Sequence, residues 1–293
     1  MASGMATYRL QPRRDVVKTC TYLMVLARIP ISVTVSVVSM LGYLLFTPSL
    51  SLNMLATGTG SFFLCAGCSA INQVQEKRTD AYFSRTVMRP LPQGLISSRT
   101  ALLTGIVWLG ISFMMYELAD ARECVWLSLF VIAAYNGLYT GLKRRTSLSL
   151  LIGSIAGAMP PLMGWVAAGG NVFDSLILSN CAIWYLVQIP HAWMRIDKYR
   201  DEYTSRYCPI PVSYFVFVYK RMLLRVWYFA FVCSVMFFVL MCSWRWDFPM
   251  GTSAVLGVIF LIGGLIPMNR MRALYFFDVT ALIVLLGTVL TRL

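Results

Sequence analysis

Asn72, Glu76 and Asp80 recur at intervals of four residues. On a helix each such step advances about 400°, so the three side chains share one stripe. Two carboxylates and an amide oxygen so placed repel one another unless a cation sits among them. All-oxygen ligation of this kind suits Mg²⁺, which keeps several waters and bridges readily to substrate phosphates. Arg85 and Arg89 follow one helical turn apart, before Pro90 and Pro92 end the helix. Guanidinium groups beside a bound divalent cation make a clamp for diphosphate. Taken singly, each of these charges reads as a solvated helix end. The combined pattern, Asn-x3-Glu-x3-Asp followed by Arg-x3-Arg-Pro, points to metal and diphosphate.

A second polar stretch runs from Gln188 to Tyr203. It holds His191, the sole histidine, so any imidazole chemistry must use it. Asp197 and Asp201 lie one turn apart with Glu202 beside them, a candidate site for a second Mg²⁺. Lys143, Arg144 and Arg145 form a third cluster, whose plainest role is anchoring at a membrane surface. Cys65 and Cys68 have CxxC spacing without a Cys or His partner set nearby, and Gly153 and Gly157 form a small-xxx-small pair. Both read as helix packing.

The elements that must carry these residues follow from composition. The chain has 293 residues, 58% hydrophobic and only 13% charged, with a mean hydropathy of +0.70. A soluble domain carries about 25% charged residues, so this one cannot clothe a water-facing surface. The net charge of +13 would suggest nucleic acid in a soluble chain; the hydropathy excludes that partner. A bilayer core needs about 20 apolar residues per helix. Charge-free runs give spans at Tyr22–Phe46, Met54–Asn72, Thr100–Tyr116, Cys124–Leu142, Thr146–Phe173, Ser175–Met194, Val226–Trp244 and Phe248–Asn269. A ninth, Ala273–Thr291, contains Asp278. The expectation is an all-α polytopic membrane bundle of nine transmembrane helices. A polar tail (1–21) precedes a single transmembrane domain (22–293). Alternating the spans puts 21 of the 25 cations on the N-terminal side and three on the other, with Arg28 at the start of the first span. By the positive-inside rule the N-terminus is inside, and the polar stretches all lie at that end.

The three stretches together resemble the UbiA superfamily of intramembrane prenyltransferases, in its haem-modifying branch. The resemblance rests on Asn72, Glu76 and Asp80, and on Arg85-Thr86-Val-Met-Arg89-Pro90-Leu91-Pro92-Gln-Gly94-Leu-Ile96-Ser97. Lys143-Arg144-Arg145-Thr146 with Gly157-Ala158-Met-Pro160-Pro161, and Gln188-Ile-Pro190-His191 with Arg200-Asp201-Glu202-Tyr203, extend it to roughly residues 65–215. It implies transfer of a farnesyl group from farnesyl diphosphate to a vinyl group of haem b, giving haem O, with haem as substrate and not as resident cofactor. Asn72, Glu76, Asp80 and His191 would be catalytic, with Asp197, Asp201 and Glu202 as further metal ligands. Arg85, Arg89, Lys143 and Arg144 would bind diphosphate or haem propionates, and His191 would orient haem or the final water. The implied setting is the mitochondrial inner membrane with the site facing the matrix, or else a bacterial plasma membrane. Lipid would surround the chain, and a haem A synthase would stand downstream. The alternatives are a UbiA-type enzyme acting on a quinone-precursor ring or another tetrapyrrole, and a transporter or haem-handling scaffold. A transporter predicts ionisable residues in mid-span, where only Asp278 approaches.

Overall fold

The computed structural model describes residues 16–146, 148–206, 208, 220–246 and 270–293. The sequence reads as one span from Tyr22 to Phe46, but the chain forms two helices, α1 (Val16–Ala27) and α2 (Ile29–Phe46), broken at Arg28. Pro30 accounts for the break: it has no N–H for the Leu26 carbonyl, and its ring would collide with that carbonyl in a continuous helix. The carbonyls released there are met from elsewhere. Gln73 Nε2 donates to Leu26 O at 2.9 Å, and Ser32 Oγ donates to Ala27 O at 2.7 Å. Arg28 itself takes a left-handed backbone (φ 47°, ψ 54°).

Helix α3 (Leu52–Gln75) starts at Ser51, whose Oγ accepts the Met54 N–H, and a short α4 (Lys77–Asp80) continues it after a distortion at Glu76. After a run of turns come α5 (Ser98–Leu118) and α6 (Arg122–Ile132). A π-helical segment, Ala133–Tyr139, leads from α6 into α7 (Thr140–Leu142). Then follow α8 (Ser149–Ala167), α9 (Ser175–Lys198), α10 (Arg200–Thr204), α11 (Lys220–Trp246) and α12 (Arg270–Leu290). No strand occurs among the described residues, so the all-helical class expected from the sequence holds.

Among the described residues, six segments are long and apolar enough to cross a membrane: α2, α3, α5, α6 through α7, α8 and most of α11. Helix α9 has the length, at 24 residues, but carries Asn180, Gln188 and His191; α12 occupies the expected ninth span. The expected eighth span, 248–269, lies outside the described residues, as does most of the polar tail.

The helices approach closely where side chains are small. A Cβ on Gly164 would fall 1.8 Å from the Ser39 carbonyl oxygen, and one on Gly42 would fall 2.2 Å from that of Pro161, so α2 and α8 pack almost backbone to backbone. Gly153 faces the Tyr139 ring and Gly157 the Gln188 side chain, which bears out the packing reading of that pair. The main core, with Leu45, Trp165, Ile177, Phe231 and Phe238 fully buried, fills the outer part of the bundle.

At the outer end, helix ends and loops contact one another. Arg245 pairs with Asp174 at 2.7 Å and lies over the Trp165 ring. Trp165 Nε1 donates to Asn171 O at 3.1 Å, and Arg292 stacks on Trp246 at 4.1 Å. Arg122 and Glu117 pair in the open at 3.3 Å.

Candidate active site

At the inner end, Asn72, Glu76 and Asp80 lie along α3 and α4 and are 2%, 5% and 2% exposed. Backbone hydrogen bonds from Glu76 N to Asn72 O and from Asp80 N to Glu76 O keep the four-residue step across the distortion. Each group has a distinct partner. Lys143 Nζ reaches Glu76 Oε1 at 2.8 Å, and Arg89 Nη1 reaches Asp80 Oδ2 at 2.7 Å. Asn72 Oδ1 accepts from Arg28 Nη2 at 3.3 Å, while its Nδ2 donates to Thr140 Oγ1 at 3.1 Å. The expected stripe therefore exists, and the third cationic cluster is joined to it through Lys143. Arg144 is exposed and donates to the Gln75 carbonyl.

The segment 81–97 carries the arginines and is pinned from two sides. Leu91 and Ile96 pack with Leu26 and Ala101; Phe83 packs with Ile196 and Tyr203. Arg85 lies over the Phe83 ring, and its Nε is buried without an acceptor. Burial, with the adjacent Arg28 guanidinium and then Arg85, pulls Arg89 below its ordinary pKa against the opposing pull of Asp80. An arginine still stays charged at neutral pH, so the crowding marks a field suited to a polyanion.

Behind the stripe, a cavity of about 590 Å³ runs into the bundle. On α9, Trp184, Gln188, His191 and Arg195 share one face at helical spacing and form part of its wall. Tyr135 and Tyr139 of the π-helical segment stack at 5.4 Å and line it too. An added residue per turn is what brings such side chains round to a site. Farther in, the wall is Val38, Leu64, Met163 and Ser61.

The second acidic stretch is arranged differently. Asp197 is buried at the inner end of α9 and Asp201 is exposed on α10. Glu202, expected among the metal ligands, accepts the Ser84 N–H and hydroxyl on its two carboxylate oxygens, while Tyr82 donates to its carbonyl. Those two hydrogen bonds tie the carboxylate to the turn that carries Ser84. Sequence reasoning missed Arg28, Arg195 and the two tyrosines as wall residues. Only Arg195 carried a readable signal, four residues after His191.

The stripe offers oxygen donors alone, and each ion pair engages one oxygen of its carboxylate, which fits a hard divalent cation. Among the described residues no group of three His, Cys, Asp or Glu side chains converges to enclose an ion. A cation here takes its remaining ligands from water or substrate oxygens, as Mg²⁺ does.

Residues 29–291 match the UbiA prenyltransferase family. The chain belongs to that family. It is 32% identical over 269 residues to the protoheme IX farnesyltransferase of Nitratidesulfovibrio vulgaris, covering 92% of this chain and 94% of the relative. It is 36% identical over 195 residues to that of Oleidesulfovibrio alaskensis, covering 67% and 69%. Among solved structures, a UbiA homologue from Archaeoglobus fulgidus bound to DMAPP and Mg²⁺ superposes with a TM-score of 0.65. At 15% identity, over 92% of this chain and 99% of that one, the likeness establishes the UbiA fold alone. In this UbiA chain the buried oxygen stripe and the cavity behind it are thus parts of a prenyltransferase scaffold.

Proposed function

We propose that this UbiA-family chain transfers a farnesyl group from farnesyl diphosphate to a vinyl group of haem b, making haem O. The observation that carries the reading is a buried, oxygen-bearing stripe joined through Arg28 to a largely apolar cavity. A prenyl diphosphate has that same division into a polar head and an apolar tail. Asn72, Glu76 and Asp80 would hold Mg²⁺, which supplies charge neutralisation for a departing diphosphate.

The protein's own groups do the rest. Arg85, Arg89 and Lys143 face the diphosphate, and charge-assisted hydrogen bonds from them strengthen as negative charge gathers on the leaving oxygen. The cavity takes the tail and keeps water from the allylic cation. The Tyr135 and Tyr139 rings present electron-rich faces to that cation. The haem vinyl supplies the electron pair for the new carbon–carbon bond, and water captures the cation left on haem with loss of a proton. His191, on the wall, orients that water or the acceptor. Glu202 serves by holding Ser84, and with it the arginine segment, against α10.

Relatives that carry the farnesyltransferase name, one of them matched over 92% of this chain, support haem as acceptor. The site lies at the cation-rich, N-terminal face of the membrane, which is the matrix side in a mitochondrion and the cytoplasmic side in a bacterium. The product is suited to a downstream haem A synthase. The test is transfer of labelled farnesyl diphosphate to haem b by the purified full chain with Mg²⁺. Haem O is expected; folded protein that binds both substrates and forms none would overturn the reading.

A further inference from the structure

Arg28 stands apart from the other cations of the inner end. Its backbone is left-handed at φ 47°, a region costly for a residue with a Cβ. Its side chain touches both halves of the site: Nη2 donates to Asn72 Oδ1 on the oxygen stripe, and the same residue lines the apolar cavity. Its Nε is buried and has no acceptor. A buried donor left unmade costs stability, so an acceptor supplied by a ligand is the natural completion. Lys143 and Arg89 already face carboxylates; Arg85, which has the other unaccepted guanidine Nε, is not part of the cavity wall, and Arg195, which is, has no buried guanidine nitrogen left without an acceptor.

Where the stripe meets the cavity is where head and tail of a prenyl diphosphate join, at the bond that must break. We infer that Arg28 is a further catalytic residue, whose Nε–H donates to the ester oxygen of the prenyl diphosphate as the carbon–oxygen bond breaks. This inference rests on the function proposed above. In the step, the electron pair of that bond goes to the diphosphate oxygen and the allylic carbon is left cationic. Arg28 keeps its proton and supplies only the hydrogen bond and charge.

The test separates strain from function. Arg28→Gly relieves the left-handed backbone, and Arg28→Asn tolerates it while removing the charge. Binding of inorganic diphosphate with Mg²⁺ to the full chain in detergent is measured by calorimetry, beside thermal unfolding and turnover. Both variants are expected to melt within a few degrees of wild type, to bind diphosphate about 10- to 100-fold more weakly, and to lose at least as much in turnover. Arg28→Lys should recover part of the affinity but less of kcat, because a lysine restores charge without the aimed N–H. Wild-type affinity and kcat in Arg28→Gly and Arg28→Asn would overturn the inference. So would variants that melt far lower yet turn over normally per folded molecule. If wild-type protein binds no diphosphate, the functional reading fails instead; if it binds diphosphate but makes no haem O, only the acceptor is wrong.

Discussion

The two ends of the bundle use charge in opposite ways. At the outer end, Arg122 and Glu117 pair in the open, Arg245 meets Asp174, and the remaining cation lies on an indole ring. At the inner end, the buried Glu76 and Asp80 pair with half-buried cations, and two arginines retain buried donors without acceptors. Exposed pairs contribute little and ask nothing more of their surroundings. Buried ones are held at a desolvation cost and leave a field that a polyanion completes. A count of cations by side of the membrane registers topology. Burial and unmet donors distinguish an anchor from a functional group.

That contrast can be broken or sharpened by substitution. Asp80→Ala should give the largest effect, a loss of about 10³-fold or more in turnover, with the protein still inserted as a single species by size-exclusion chromatography. Retained activity would remove Asp80 from the site. Lys143→Met strips Glu76 of its partner. Breaking a buried pair this way costs about 3–5 kcal/mol, read as a lowered midpoint of thermal unfolding, and turnover should fall about 10- to 100-fold. Glu202→Gln loosens the arginine segment without touching a substrate. We expect a KM for farnesyl diphosphate raised about 10-fold, with a smaller change in kcat, and a milder version of the same in Ser84→Ala. An equal collapse of kcat and metal dependence in Glu202→Gln would restore that carboxylate to the metal shell. At the other extreme, Arg122→Ala at the outer end should leave turnover within about twofold and the melting midpoint unmoved. A large loss there would erase the distinction between the ends.

Much of this was legible in the chain itself. Charge-free runs located α3, α5, α8 and α11, because a bilayer imposes length and apolarity on each helix independently of its neighbours. The four-residue step of Asn72, Glu76 and Asp80 was readable because local helix geometry fixes it. The break at Arg28 was harder to see. Pro30 signalled it, but Gln73 and Ser32, which accept the consequence, are separated from it or hidden in an apolar run. The pairing of Glu202 with Ser84 spans 118 residues and depends on how two loops meet, which no local pattern records. The π-helical segment likewise has no compositional mark in Ala133–Tyr139.

The filled outer part of the bundle bears on the membrane as well as on the reaction. Among the described residues the cavity wall extends outward to Ser61, Met163 and Trp184, and beyond it lie Leu45 and Trp165 with no exposed surface. Among the described residues, close apolar packing of this kind leaves few voids that water can enter, so the hydration of the charged site stays at the inner end.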